Sequence, residues 1–219
     1  MKSRAQSPSP SPVSLPDLLI TGPDDAPLTF AFAHGAGAPM DTPFMSFFAQ
    51  QLAAKGWRVV RFEFPYMARR RHEPKRPPPD RQPVLLASWQ AVIDALGPEK
   101  LVIGGKSMGG RMASLLADDA GVRGLACLGY PFHPAGKPER LRTEHLADLK
   151  TPCLICQGTR DALGKREEVA GYALSPAIHL HWAEDGDHDL KPRKASGRTA
   201  EQNWAEAITA LDGFFRSLA

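Results

Sequence analysis

A serine flanked by glycines separates an apolar run from a helix-like stretch in the middle of the chain. The motif is Gly-Lys-Ser-Met-Gly at residues 105–109, preceded by Leu-Val-Ile at 101–103 and followed by a helix-like stretch at 111–117. A serine at a sharp turn between a strand and a helix has a strained backbone, and its flanking positions must be nearly free of side-chain atoms. The motif therefore predicts a buried strand, a tight turn and a helix, with the Ser107 hydroxyl projecting above the sheet.

Strand-like and helix-like segments alternate along residues 17–219. Strands are predicted at 17–21, 28–33, 57–62, 100–104, 124–128, 152–157 and 177–182, and helices at 43–55, 83–96, 108–119, 165–172 and 199–218. Strands that are apolar at every position are typical of burial on both faces. The pattern predicts one α/β domain over residues 17–219, with a doubly wound, mostly parallel sheet.

The first sixteen residues differ in composition from the rest. Residues 1–16 are rich in Ser and Pro and contain no apolar stretch of the kind found in a secretory signal. We predict a disordered tail here and a cytoplasmic location. No stretch elsewhere approaches the roughly 18 to 20 apolar residues that cross a bilayer, so no membrane partner is expected.

The three cysteines, Cys127, Cys153 and Cys156, fall within predicted strands. Buried thiols usually act as small apolar side chains, so we predict three reduced core residues. Cys153 and Cys156 form a C-x-x-C pair, but redox motifs of that type lie at a helix start. The scattered histidines and the lack of a second C-x-x-C argue against zinc. No metal and no cofactor are expected.

Two further residues extend the pattern that Ser107 begins. Asp161 follows one predicted strand and a short turn, and His188 lies in a polar turn after the next strand. The order serine, acid, histidine is that of a catalytic triad on this type of sheet. In such a triad the imidazole takes the serine proton, and the carboxylate orients the ring. Asp187 and Asp189 flank His188 and compete with Asp161 as the acid.

A negative oxygen formed at Ser107 needs backbone N–H donors that already point at it. Met108, directly after the serine, is the first predicted donor. The second is expected from the His-Gly-Ala-Gly loop at residues 34–37, whose small residues allow close approach, with Ala36 favoured. We interpret His34 as a support for this loop. Ala36 and Met108 are thus the predicted substrate-binding residues.

Six short blocks together resemble a small bacterial α/β-hydrolase-fold family. They lie at residues 34–37, 61–66, 104–111, 129–134, 157–161 and 186–190. The set is similar to dienelactone hydrolases, and to the hydrolase-like domain shared by a testis-expressed protein and a subunit of the non-specific-lethal chromatin complex. The resemblance implies the α/β-hydrolase fold and places Ser107, Asp161 and His188 at the catalytic positions. It implies little about the substrate.

Positive charge is concentrated between residues 66 and 81, a segment that contains six Lys or Arg residues and two acidic residues. One interpretation is that these arginines attract an anionic acyl substrate bearing a carboxylate or phosphate. The other is a solvated mobile loop, or a patch that meets a nucleic acid or protein partner. Nucleic-acid binding as the main function is disfavoured, because no aromatic interleaving or recognition module accompanies the charge.

Four other residues admit a functional and a structural interpretation. His133 follows the next predicted strand after the serine turn, so it either lines a pocket or packs in the core. His179 and His181 alternate along one strand and mimic a metal pair, but surface or packing roles are expected. Lys106 is expected to point away from the nucleophile, toward a helix or a substrate edge.

The residues predict a serine hydrolase that cleaves a small-molecule carboxylic ester or thioester through an acyl-enzyme on Ser107. The alternative is a hydrolase-fold interaction module, whose basic segment and Pro-rich tail recruit a partner and whose pocket turns over little. The absence of a long insertion between residues 128 and 152 predicts a minimal, nearly lidless enzyme that prefers small acyl groups. The sequence specifies neither the substrate nor the oligomeric state.

Overall fold

Seven strands form one sheet in the computed structural model, which describes residues 14–219. The strands are β1 (Leu18–Thr21), β2 (Thr29–Ala33), β3 (Arg58–Phe62), β4 (Leu101–Lys106), β5 (Gly124–Leu128), β6 (Cys153–Gly158) and β7 (Ile178–Ala183). Their spatial order is β1-β3-β2-β4-β5-β6-β7. Only β1 runs antiparallel to its neighbour, with Leu18 opposite Phe62. The tail predicted at residues 1–16 lies, up to residue 13, outside the described part of the chain.

Seven α-helices within residues 14–219 cover the two faces of the sheet. They are α1 (Pro43–Ala54), α2 (Pro65–Arg70), α3 (Gln82–Leu96), α4 (Met108–Ser114), α5 (Ala117–Ala120), α6 (Arg166–Val169) and α7 (Ala200–Leu218). The first turn of α7 is closed by a capping box, in which the Thr199 hydroxyl accepts from the Gln202 N–H and the Gln202 side chain accepts from the Thr199 N–H. The predicted single-domain, doubly wound α/β fold is confirmed.

Alternating side chains of the central strands enter two separate apolar layers. In β2, Phe30 and Phe32 pack on the side of α1 and α7. Ala31 and Ala33, one position along, face the layer of α3 and α4. The period of two along a strand explains this division, and burial on both faces explains why these strands read as continuous apolar runs.

The helices differ from prediction in three places. The structure adds α2, a six-residue helix that begins at Pro65, where proline's fixed φ and missing N–H are tolerated. The helix predicted at 108–119 is divided into α4 and α5. The Ser114 hydroxyl donates to the Arg111 carbonyl. The backbone N–H groups of Leu115 and Leu116 then bond to the carbonyl three residues before them, as in a 3₁₀ helix, instead of four. The helix predicted at 165–172 is shorter, spanning Arg166–Val169.

Three features of the described residues bear on the broader expectations. The segment between β5 and β6 carries only one turn of 3₁₀ helix, Glu144–Leu146, in line with the minimal lid that the sequence predicts. Cys127, Cys153 and Cys156 are free and buried, and burial raises the pKa of the Cys156 thiol. Within residues 14–219, no helix is long and apolar enough to span a bilayer.

Candidate active site

The loops after β2, β4, β6 and β7 bring the predicted site residues to one edge of the sheet. Ser107 directly follows β4, Asp161 follows β6 by a short turn, and His188 follows β7. These three strands run parallel, so their carboxyl ends lie at the same edge. The sheet order therefore gathers residues that are far apart in the sequence.

The turn at Ser107 has the strained geometry that the motif predicts. Ser107 has φ 51° and ψ −117°, a left-handed conformation that side chains disfavour, and it immediately precedes α4. Its N–H donates to the Leu128 carbonyl of the neighbouring strand at 3.0 Å, which fixes the turn against β5. A Cβ atom at Gly105 would lie 2.4 Å from the Ala33 carbonyl oxygen, and one at Gly109 would lie 2.6 Å from that of His34. Glycine is therefore required on both sides of the serine.

Asp161 and His188 are in direct contact. The His188 Nδ1 lies 2.7 Å from Asp161 Oδ2. The Asp161 carboxylate is fully buried, whereas 31% of the His188 side chain is exposed. A carboxylate only accepts hydrogen bonds, so Nδ1 carries the hydrogen of this contact and the opposite ring nitrogen, Nε2, is left as the acceptor.

The buried Asp161 carboxylate is held by two further donors. Oδ1 accepts from the Leu163 N–H at 2.9 Å, and Oδ2 accepts from the Gln157 side-chain amide at 2.9 Å. Gln157 is itself fully buried and is fixed because its side-chain oxygen accepts from the Tyr130 N–H. Sequence reasoning missed Gln157. Two signals were present in the sequence: Gln157 ends a predicted strand, and it begins the block at residues 157–161 that ends at Asp161.

The two competing acids are engaged elsewhere. Asp187 accepts from the backbone N–H groups of Asp189 and Lys191, which closes the turn around His188. Asp189 is half exposed and lies 3.4 Å from the Lys106 ammonium. Of the three carboxylates considered from the sequence, the structure places that of Asp161 on the His188 ring.

Ser107 and His188 line the same cavity, which has a volume of about 400 Å³. Its wall is mostly apolar, with the Phe44 ring from α1 in edge-to-face contact with Trp204 from α7. Ala36 lies on this wall as well. The cavity can therefore hold a small apolar group beside the serine hydroxyl.

The loop at residues 34–37 is held by its own histidine. His34 donates from Nδ1 to the Gly35 carbonyl at 2.6 Å, and its Nε2 accepts from the Phe64 N–H at 3.1 Å. Burial lowers the pKa of His34 to about 4, so the ring stays neutral and can serve as both donor and acceptor. The structure therefore gives His34 a supporting position, as the sequence suggested.

Two residues of α2 also hold the loop. The Tyr66 hydroxyl donates to the Ala36 carbonyl at 3.1 Å, and Arg70 donates to the same oxygen at 3.3 Å. The Ala36 carbonyl shares its peptide plane with the Gly37 N–H. The plane that contains the Ala36 N–H ends in the Gly35 carbonyl, which accepts from His34 Nδ1 at 2.6 Å and from the Tyr66 hydroxyl at 3.4 Å. Met108, the other predicted donor, is the first residue of α4, so its N–H has no acceptor within that helix. Tyr66 and Arg70 were not identified from the sequence, where α2 read as part of a charged loop.

Three arginines of the basic segment at residues 66–81 have partners within the protein. Arg69 pairs with Asp80 at 2.8 Å, and Arg71 makes a two-pronged contact with the buried Glu63 carboxylate at 2.6 and 2.8 Å. Neither these residues nor Arg70 line the cavity beside Ser107. The cations that do line it are Lys106 and Lys191. Arg69, Arg70 and Arg71 therefore hold parts of the protein together, and the lining of the cavity does not support attraction of an anionic acyl group by them.

The remaining histidines lie away from the cavity. His133 is buried, with Nδ1 on the Pro134 carbonyl and Nε2 3.3 Å from the Glu168 carboxylate, so packing is the correct interpretation. His179 and His181 lie on β7 at the sheet edge. Across residues 14–219, no three His, Cys, Asp or Glu side chains form a group that could hold a metal ion.

Comparison with known proteins agrees with this architecture. A family model described as an alpha/beta hydrolase domain matches residues 26–216. An alpha-beta serine hydrolase homologue from Coxiella burnetii is 20% identical, with a TM-score of 0.65 over 92% of this chain and 91% of that one. A dienelactone hydrolase from Anabaena variabilis is 21% identical, with a TM-score of 0.65 and the same two coverages.

A third similar structure is a serine hydrolase without a lid from Xanthomonas campestris. It is 19% identical, with a TM-score of 0.65 over 92% of this chain and 88% of that one. At these identities the three solved structures show a shared fold.

Proposed function

The chain belongs to the alpha/beta hydrolase domain family, and on that premise we propose that it is a serine hydrolase that cleaves a carboxylic ester or thioester. Ser107 is the nucleophile, His188 the general base and acid, and Asp161 the carboxylate that orients the imidazole. The observation that carries this proposal is the 2.7 Å contact between His188 and the buried Asp161, next to a cavity that His188 shares with Ser107.

The first half of the reaction forms the acyl-enzyme. His188 accepts the Ser107 proton at Nε2 while the serine oxygen attacks the carbonyl carbon, and the imidazolium is stabilised by Asp161. The proton then passes to the leaving alkoxide or thiolate as the bond to the carbonyl carbon breaks. General-base assistance of this kind contributes roughly 10²- to 10⁴-fold in rate.

The oxygen that becomes negative in each tetrahedral intermediate is stabilised by backbone N–H groups. Met108 supplies one at the start of α4, and Ala36 supplies the other from the loop that His34, Tyr66 and Arg70 hold. Donors fixed before the reaction do not have to reorganise during it, and losing one such donor typically costs about 10²- to 10³-fold in kcat.

The second half returns the free enzyme. Water loses a proton to His188 and attacks the acyl carbon, and the serine oxygen leaves with that proton. The products are a carboxylic acid and free Ser107. The size of the cavity favours small acyl groups, and so does the segment between β5 and β6, which adds one turn of 3₁₀ helix and no larger lid.

Labelling with a fluorophosphonate probe tests the assignment. Wild-type protein should react stoichiometrically at Ser107, and Ser107→Ala should not react. Ser114→Ala is the matched control, because Ser114 is a buried serine on α4 that lies outside the cavity. A p-nitrophenyl ester series should show faster hydrolysis of acetate and butyrate than of long-chain esters. Folded wild-type protein that neither reacts with the probe nor hydrolyses any ester would overturn the hydrolase proposal and favour the interaction module.

A further inference from the structure

Lys106 joins the serine turn to the histidine loop. It is the last residue of β4 and directly precedes Ser107. Its ammonium donates to the backbone carbonyl of His188 at 2.8 Å, across 82 residues of sequence. The same ammonium lies 3.4 Å from the Asp189 carboxylate. One side chain therefore contacts two consecutive residues of the loop that carries the imidazole.

The Lys106 side chain is almost fully enclosed by the protein, and burying its charge is energetically unfavourable. Only 8% of the residue is exposed, and burial lowers the pKa of its ammonium while the Asp189 carboxylate opposes that shift. Burying a charged group is unfavourable unless partners replace the lost water. Here those partners are the His188 carbonyl and Asp189, so the buried charge favours the conformation in which the loop stays beside β4.

The neighbouring strand leaves space for this link. Gly129 follows β5, and a Cβ atom there would lie 2.5 Å from the His188 carbonyl oxygen and 3.1 Å from Lys106 Nζ. A larger residue at 129 would therefore separate the donor from the acceptor. The same loop is also held by the Asp187 carboxylate, which accepts from the Asp189 and Lys191 N–H groups, and by the Trp204 indole, which donates to the Asp189 carbonyl at 2.9 Å. Lys106 is the link from this loop to the serine turn.

We propose that Lys106 is a positioning residue that sets the distance between the Ser107 hydroxyl and the His188 imidazole by tying the backbone of the histidine loop to the strand that ends at the nucleophile. This inference rests on the proposed function of Ser107 and His188. Asp161 orients the ring from its Nδ1 side, whereas Lys106 fixes the backbone from which the ring projects. The two contacts act on different parts of the same residue.

The test compares three variants. Lys106→Met removes both the donor and the charge, Lys106→Gln keeps an N–H donor without the charge, and Lys100→Met makes the same change at an exposed lysine just before β4. Each is measured for kcat and KM on p-nitrophenyl acetate and for hydrogen exchange of the backbone at residues 185–191. Circular dichroism and thermal unfolding establish that each variant is folded.

Lys106→Met should lower kcat by about 10- to 100-fold, the effect of losing one hydrogen bond from a charged donor, with KM within about 3-fold of wild type. Lys106→Gln should recover part of that loss, and Lys100→Met should match wild type. Exchange at residues 185–191 should be faster in Lys106→Met than in Lys100→Met.

Several outcomes would overturn the inference. Folded Lys106→Met with wild-type kcat would do so, and a rise in KM alone would instead make Lys106 a substrate contact. Unchanged exchange at 185–191 would show that the loop does not depend on this link.

If wild type itself proves inactive, the proposed function fails, and the exchange measurement still tests the structural link. A Lys106→Met protein that does not fold leaves Lys106→Gln to carry the same measurements.

Discussion

The side-chain amide of Gln157 donates to Oδ2 of Asp161 at 2.9 Å, the same oxygen that lies 2.7 Å from the His188 ring. The carboxylate therefore cannot rotate away from the imidazole without breaking a second, fully buried hydrogen bond. The amide also accepts from the Tyr130 N–H at 2.7 Å, which connects the acid to the loop after β5.

Gln157→Leu should lower both activity and stability. It removes the donor to Asp161 and leaves the buried Tyr130 N–H without its acceptor, and each unsatisfied buried polar group costs about 1–3 kcal/mol. We expect the free energy of unfolding in urea to fall by about 2–4 kcal/mol and kcat to fall by at least about 10-fold. Gln90→Leu, at an exposed glutamine of α3, is the control and should change neither quantity appreciably.

Tyr66→Phe should lower kcat with little change in KM. The lost hydroxyl lies 3.1 Å from the Ala36 carbonyl and 3.4 Å from the Gly35 carbonyl. The Gly35 carbonyl belongs to the peptide plane that presents the Ala36 N–H, so that plane becomes less ordered. A neutral hydrogen bond contributes about 0.5–1.5 kcal/mol, which corresponds to about 2- to 10-fold in kcat. Tyr172→Phe is the matched control, because the buried Tyr172 hydroxyl has no hydrogen-bond partner among the described residues. Equal effects in the two variants would contradict a role for Tyr66 at the loop.

Gly105→Ala should unfold at a markedly lower temperature than wild type. A Cβ atom at this position would lie 2.4 Å from the Ala33 carbonyl oxygen of β2 and 3.0 Å from the Gly109 backbone of α4, so β2 or α4 must shift.

Gly213→Ala in α7 is the opposite case, since a Cβ atom there meets nothing within 4 Å. It should raise stability by about 0.5–1 kcal/mol because alanine is favoured within a helix. Differential scanning calorimetry measures both changes, and a Gly105→Ala protein as stable as wild type would contradict the close packing of the turn.

His34 should make the protein less stable in acid. Its pKa is lowered by burial to about 4, whereas the unfolded chain has the ordinary value of 6.5. Above pH 6.5 both states hold a neutral ring, but as the pH falls toward 4 only the unfolded state binds the proton. The contribution lost is about 2 kcal/mol at pH 5 and about 3 kcal/mol at pH 4.

Urea unfolding of wild type and His34→Asn at pH 7 and pH 5 measures this contribution. Wild type should lose about 2 kcal/mol more than the variant between the two pH values. Burial also lowers the pKa of His145 to about 4. Because His145 remains in both proteins, it contributes the same pH dependence to the free energy of unfolding of each. Parallel pH dependence in the two proteins would show that His34 does not titrate in this way.

The sheet and the loops at its carboxyl edge were predictable because each depends on a local pattern. Continuous apolar runs define buried strands, and two glycines around a serine define the turn at Ser107. Asp161 and His188 were predictable as neighbours because both follow parallel strands, and the choice of Asp161 over the acids beside His188 followed from the short reach of adjacent residues in a turn.

The supporting contacts were not predictable in the same way. Gln157 ends a predicted strand and Lys106 lies within the serine motif. Nothing in their sequence neighbours shows that one meets an aspartate and the other a carbonyl 82 residues away. The helix α2 was missed because its charged residues read as a solvated loop. Its arginines find their partners through tertiary contacts, such as that of Arg71 with Glu63.

Asp161 and His188 differ in solvent exposure: the Asp161 side chain is fully buried, whereas nearly a third of the His188 side chain is exposed to solvent. Bulk water therefore reaches the imidazole without a channel or a hinge movement. An enzyme that transfers acyl groups to alcohols or amines has to keep water away from its covalent intermediate. Under the proposed function, an imidazole open to water in this way favours hydrolysis of the acyl-enzyme over transfer of the acyl group to another alcohol.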